Sequence, residues 1–175
     1  TLERMVEERT RTLRESEEQL RRKSLLEKQL LDISSTYINV RLDETDRVIE
    51  SSLGDIGRFV QADRVYLFDY DFDQEIGINT HEWCAEGISP EIAQLKAVPF
   101  SMFPDWVKSH RRGELIFIEE VAQLAPETPI KQILETQGIQ SLLTVPLMDG
   151  DNCLGFAGFD AVRSINHYTQ EEIDL

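Results

Sequence analysis

The stretch "SLLTVPLMDGDNCLGFAGFDA", Ser141–Ala161, decides the architecture. Two apolar runs flank a turn rich in Asp and Gly, and runs joined that tightly pair as antiparallel strands. Further back, "RVYLFDYDF" (64–72) has the same β-branched and aromatic chemistry. "DFDQE" then supplies a turn, and "IGINTHEW" (76–83) returns as its hairpin partner. "LIFIE" (115–119) reads as a short central strand.

Between these strands lie helix signals. Asp43 is a plausible N-cap for a helix carrying Ile49, Leu53, Ile56 and Val60 on one stripe. Ser89 and Pro90 are expected to open a helix through about Ala97, and a second short helix near Asp105 stops at Gly113. Thr128 and Pro129 open a helix that Gly138 ends, and Thr169 with Glu172 forms a capping box for a last one. Residues 1 to about 38 hold no Gly or Pro and are rich in helix formers, which predicts one long helix. Leu2, Val6, Leu13 and Leu20 recur near heptad spacing along it, and the stripe then shifts phase to Leu26, Leu30, Ile33 and Tyr37. Arg9, Ser16 and Lys23 interrupt the seam, so it fits a weak parallel coiled coil.

The net charge of −15 is unevenly spread. Residues 1–32 carry eight basic and eight acidic groups, which leaves 10 Lys plus Arg against 25 Asp plus Glu in the rest. So acidic a body repels phosphate backbones and anionic lipid, and neither nucleic acid nor a membrane surface is an expected partner. No apolar run is long enough to span a bilayer. Two cysteines, Cys84 and Cys153, are too few for a disulfide framework and point to a reducing cytoplasm. The chain begins without Met and stops in mid-pattern at "EEIDL", as a piece of a longer protein does.

The succession "ADRVYLFDYD", "THEWCAEGI", "QGIQSLLTVPLMDGDNCLGFAGFD" and "YTQEEIDL" resembles a GAF domain of bacterial multi-domain signalling proteins. "VEERTRTLRESEEQL" resembles the coiled-coil linkers of sensor histidine kinases and diguanylate cyclases. The resemblance implies a linker at 1–30 and a GAF domain at 31–175. It also implies an α+β fold with an antiparallel sheet of about five or six strands. Terminal helices would pack on one face, with short helices and loops covering the other.

The densest chemistry lies at His81, Glu82 and Cys84, in a chain with three His. Strand alternation sends His81 and Trp83 to one face and Glu82 and Cys84 to the other, so no metal set forms there. A His-Glu-x-x-His zinc motif would need a second His where Ala85 stands. Cys84 as the nucleophile of a GAF sulfoxide reductase would need a lowered pKa, and the placement of Cys84 and Cys153 does not resemble those enzymes. No catalytic residue and no metal ligand is expected, and the piece is expected not to be an enzyme. Asp69, Asp71 and Asp73 read as a solvated tip.

In GAF domains the cover over one sheet face encloses small ligands, and the resemblance makes Trp83, Phe100, Met102, Phe103 and Trp106 pocket candidates here. A filled core and a ligand-sized cavity both remain open. The Asn-Lys-Phe-Asp-Glu signature of cyclic-nucleotide binders is absent. Bilin binders carry a Cys commonly followed by His, whereas Cys84 precedes Ala85 and His110 follows Ser109. No cofactor is evident, and an unknown small ligand is possible. The resemblance implies a sensory module of a cytoplasmic two-component protein, with Leu2, Val6, Leu13, Leu20, Leu26 and Leu30 pairing across a homodimer. Flanking signalling domains would include a histidine kinase effector; the alternatives are a diguanylate cyclase effector, or a dimerisation spacer without ligand.

Overall fold

The computed structural model describes residues 1–38 and 44–165, with side chains described for 1–31 and 44–165. The chain divides into two units, Thr1–Val48 and Ile49–Leu175. The first unit is dominated by α1, Leu2–Ile38, a helix of 37 residues and so about 55 Å long. Arg11 and Glu15 approach to 4.0 Å on its exposed surface, an i,i+4 pair that adds only a few tenths of a kcal/mol.

The second unit is built on a six-stranded sheet in the order β3-β2-β1-β6-β5-β4. The strands are β1 (Arg64–Asp71), β2 (Ile76–Cys84), β3 (Val98–Pro99), β4 (Ile116–Ile118), β5 (Ser141–Asp149) and β6 (Asn152–Ala161). Every pairing is antiparallel. The Ser141–Ala161 hairpin forms as its pattern predicts, with Ser141 opposite Ala161. Its β6 strand also pairs with β1, Arg64 facing Asp160. "LIFIE" falls on the sheet edge and not at its centre: among the described residues β4 is last in the strand order and pairs with β5.

β1 lies between β2 and β6 and is covered on both faces, which is why "RVYLFDYD" has no plain polar and apolar alternation. Its odd positions, Val65 and Leu67, pack with Leu53, Ile49 and Val60 of α2 (Thr45–Val60) and with Trp83 and Phe159. Its even positions, Tyr66, Phe68 and Tyr70, join the larger core with Phe156, Leu142, Phe103 and Trp106. That second face lies under α3 (Pro104–Arg111) and α4 (Pro129–Thr136), which contribute Trp106, Val107, Ile130 and Leu134. Gly138 ends α4 at φ +70°, the left-handed conformation expected of it.

The helix expected from Ser89 to Ala97 does not form; residues 85–97 run as turns and irregular chain. Their backbone groups are taken by the sheet instead. Ala85 N–H donates to Asp63 O at 2.8 Å, and Leu95 O accepts from Asn79 N–H at 3.0 Å. Asp43 and the helix expected from Thr169 lie outside the described residues.

One contact fixes α2 against the sheet. A Cβ added at Gly57 would meet the Trp83 ring (2.7 Å to Cε3) and Val65 Cγ2 at 2.9 Å. The helix backbone therefore rests directly on the indole. Gly57→Ala should gain about 1 kcal/mol of helix propensity and lose about 1–3 kcal/mol to overpacking. Urea unfolding is expected to show net destabilisation. In a Trp83→Leu background the same change should become neutral or stabilising, and equal effects in both backgrounds would contradict this packing.

Candidate functional site

Strand alternation lines up the cover-face side chains of the three middle strands. β1 presents Arg64, Tyr66 and Phe68; β6 presents Asp160 and Phe156; β2 presents Glu82 and, across a bulge, Asn79. Arg64 is 2% exposed and Asp160 is fully buried. Arg64 Nη1 donates to Asp160 Oδ2 at 2.9 Å, and Tyr66 OH donates to Asp160 Oδ1 at 2.9 Å. Gly158 makes this reach possible, because a side chain there would occupy the space of the Tyr66 ring.

The same guanidinium ties the cover to the sheet. Arg64 Nη2 donates to Ser89 O at 3.0 Å, and its Nε lies 3.9 Å from Glu82 Oε2. Glu82 accepts from Glu91 N–H at 2.9 Å and from Ile92 N–H at 3.2 Å. Two buried charged side chains thus hold residues 89–92 in place. At the far end of the segment Arg163 bonds to Glu86 O and to Asp63, 3.2 Å from Oδ1.

Beside this network is a cavity of about 40 Å³. Its floor is Tyr66, Phe68 and Phe156 of the sheet. Phe103 and Trp106 of the α3 region, Ile133 and Gln137 of the α4 region, and Leu95 and Val98 of the cover complete much of its wall. Room of that size suits a few waters, against roughly 300 Å³ or more for a drug-sized ligand. In this conformation the face is mostly filled by aromatic packing, including the Phe68–Phe156 stack at 4.9 Å.

Of the residues expected to form a pocket, Phe103 and Trp106 line this cavity. Phe100 and Met102 pack on the same core from its margin. Trp83 does not belong with them. It stands opposite Val65 and packs under α2, on the other face of the sheet. The alternation that separates Trp83 from Glu82 already implied this, since Glu82 faces the cover. The sheet floor, Asn79 and the Arg64, Glu82 and Asp160 network were not anticipated. Their signal was a charged residue inside each apolar strand, Arg64 in "RVYLF" and Asp160 in "GFDA".

Chemically the site favours holding over reacting. Burial, then the nearby Glu82 carboxylate, pushes the Cys84 thiol up to about 11, so it lacks the thiolate a nucleophile needs. Both cysteines are free thiols, and Cys153 is buried on the cover face. Among the described residues no group of three His, Cys, Asp or Glu side chains is placed to hold a metal ion.

Of the α1 residues expected to pair between copies, Leu2, Val6, Leu13, Leu20 and Leu30 are exposed, from 41% at Leu30 to 79% at Leu2. Leu26 is buried. Among the described residues no helix is long and apolar enough to cross a membrane.

His110 is fully buried between the hydroxyls of Tyr70 (2.7 Å) and Thr144 (2.9 Å), and burial lowers its pKa from 6.5 to about 4. As pH falls through 6.5 the unfolded chain takes a proton that the folded chain refuses, so this group withdraws stability, by about 3 kcal/mol at pH 4. Asp160 acts oppositely. Burial raises it to about 7 against the pull of Arg64 and Tyr66, so the folded chain takes the proton first and gains stability as pH falls from 7 toward 4. Urea unfolding from pH 7.5 to 4.5 should therefore show a shallow profile. In His110→Gln the opposing slope should be unmasked, with stability relative to the parent rising by on the order of 2–3 kcal/mol across that range. A parallel pair of profiles would contradict a neutral buried His110.

The family model for the GAF domain matches residues 44–175. A curated relative, the methanogenesis regulatory histidine kinase FilI of Methanothrix harundinacea, is 29% identical over 166 residues, covering 90% of this chain and 18% of the relative. The chain thus spans under a fifth of that kinase. Among solved structures, the blue-light-absorbing form of the Thermosynechococcus elongatus PixJ GAF domain is similar with a TM-score of 0.64 at 21% identity, covering 77% of this chain and 81% of that one. The chromophore-binding domain of Stigmatella aurantiaca bacteriophytochrome is similar at 0.62 and 16% identity, covering 82% and 53%. A far-red-absorbing dark state with bound biliverdin is similar at 0.66 and 12% identity, covering 83% and 89%. With its antiparallel sheet, helix-backed face and covered face, and a family match over most of its length, this chain belongs to the GAF domain family.

Proposed function

We propose that this chain is the sensory module of a cytoplasmic two-component protein and dimerises through residues 1–30 as a coiled-coil linker. In this reading it passes a change at the covered sheet face to a histidine kinase effector. The observation that carries it is the row of exposed leucines and Val6 on a 37-residue helix ahead of a GAF domain. Such apolar side chains on a long charged helix are what a second copy of that helix would bury. The likeness to a regulatory histidine kinase supports that choice of effector over a diguanylate cyclase.

Sensing in this reading means that a small molecule occupies the covered face and binds two arrangements of the cover with different affinity. Chromophores in similar GAF structures support a small ligand as the input. The module itself transduces and does not catalyse. The cavity of about 40 Å³ supports a second reading, a dimerisation spacer with a filled core. Native mass spectrometry of the purified chain separates the two: a co-purifying small molecule supports sensing, and bare protein with no stabilisation by any compound in a thermal-shift screen supports the spacer.

Sedimentation of the chain should show a dimer at tens of micromolar. Leu13→Glu with Leu20→Glu should shift it to monomer with little change in the melting temperature of the GAF domain, since both side chains are exposed. A parent chain that stays monomeric at high concentration would contradict the proposal.

A further inference from the structure

Asp63, the residue just before β1, gathers three parts of the chain. Its backbone N–H donates to Asp160 O at 2.8 Å, and its carbonyl accepts from Ala85 N–H at 2.8 Å. Its carboxylate Oδ2 accepts from Val162 N–H at 2.7 Å and from Arg163 N–H at 2.9 Å. Those two residues follow Ala161, the last of β6. One aspartate thus touches the head of β1, the first residue of the cover and the point where the chain leaves the sheet.

Arg163 closes the arrangement. Its Nη1 lies 3.2 Å from Asp63 Oδ1, and its Nη2 donates to Glu86 O. Glu86 and Gly87 form the middle of a turn that Ile88 N–H closes on Ala85 O at 3.0 Å, with Gly87 at φ +80°. A guanidinium presents its donors in a rigid fork, so both acceptors must stand in place together. The Arg163 side chain is 55% exposed against 11% for Asp63, and an ion pair so open to water adds little to overall stability. The amides of 162 and 163 are already satisfied by Oδ2. What the bond to Glu86 O adds is a tie between the first turn of the cover and the exit of β6.

We propose that Asp63 and Arg163 form a clamp that couples the cover to the chain leaving the sheet. Closed, it holds the 85–88 turn and residues 162–163 as one unit. Displacing the turn withdraws Glu86 O from the guanidinium and loosens the carboxylate that receives the amides of 162 and 163. Coupling between sites needs such an element with two discrete arrangements, and a half-exposed pair is weak enough to visit both. The clamp rests on the reading of this domain as a relay and supplies a route for it: movement of the cover reaches the exit of β6 through one side chain.

The test is native-state hydrogen exchange of the whole 175-residue chain, labelled with nitrogen-15 and free of added ligand. In the parent, the Ile88 and Val162 amides should be protected and should lose protection in parallel as urea is raised below the unfolding transition. Arg163→Met should lower the protection of both by about three- to tenfold and leave the Leu142 and Leu143 amides unchanged. An unprotected Ile88 or Val162 amide in the parent, or unrelated urea dependences, overturns the clamp. So does a loss in the variant at Val162 alone, at Ile88 alone or at neither, and so does an equal loss at all four amides, which marks general destabilisation. Should Arg163→Met fail to fold, Arg163→Lys, whose single ammonium cannot reproduce the fork, decides between the same outcomes. A failed clamp leaves the sensing reading to native mass spectrometry; bare protein there leaves the clamp standing, because these rates are read on the empty chain.

Discussion

A guanidinium shut away from water needs acceptors, and the GAF domain is arranged around one whose Nη1 and Nη2 both find them. Arg64 lies on a central strand and is answered by Asp160 on the adjoining strand. Its Nη2 donates to Ser89 O, whereas its Nε makes no hydrogen bond among the described residues and feels Glu82 only as a charge 3.9 Å away. A buried ion pair adds little net stability over an apolar pair of the same shape, but breaking one typically costs about 3–5 kcal/mol. The network is thus a device for specificity more than for strength. It fixes the β1–β6 register through Asp160 and the course of residues 89–92 through Glu82, so the sheet and its cover adopt one joint arrangement.

The two faces of the sheet are packed on different terms. Under α2 the helix backbone itself approaches the Trp83 ring, a contact that only glycine allows. That interface has little freedom to slide. On the cover face, aromatic side chains meet short helices and an irregular segment held by a handful of polar bonds. Segments secured in that manner sit at the low end of local stability. The two faces share β1 and β2, so the cover and α2 rest on the same strands.

Much of the fold was legible in the sequence because antiparallel pairing is local. The hairpins at 64–84 and 141–161 announce themselves by apolar runs and turn residues, and alternation correctly divides Trp83 from Glu82. What was illegible depends on partners distant in the chain. Ser89 and Pro90 look like a helix start, and only the pairing of Leu95 O with Asn79 N–H on the distant β2 shows the segment giving backbone groups to the sheet and not to a helix. "LIFIE" looks central because it is apolar, yet it lies at an edge. The site suffered most. Aromatic residues near the cover were easy to pick out, but a pocket's floor belongs to the sheet, and Tyr66 and Phe156 read as ordinary core. Trp83 was assigned to the cover by proximity in sequence, against the parity that places it under α2.

Glu82 and Arg64 together latch residues 89–92 onto the sheet. Native-state hydrogen exchange of the Glu91 and Ile92 amides, in the parent and in Glu82→Gln, tests it most directly. Both amides should be measurably protected in the parent and lose roughly 10–100-fold of that protection in the variant, in keeping with weakened charge-assisted hydrogen bonds. The amides of Leu142 and Leu143 in the central hairpin should keep their rates. Amides at 91 and 92 that are unprotected in the parent, or unchanged in the variant, would contradict the latch.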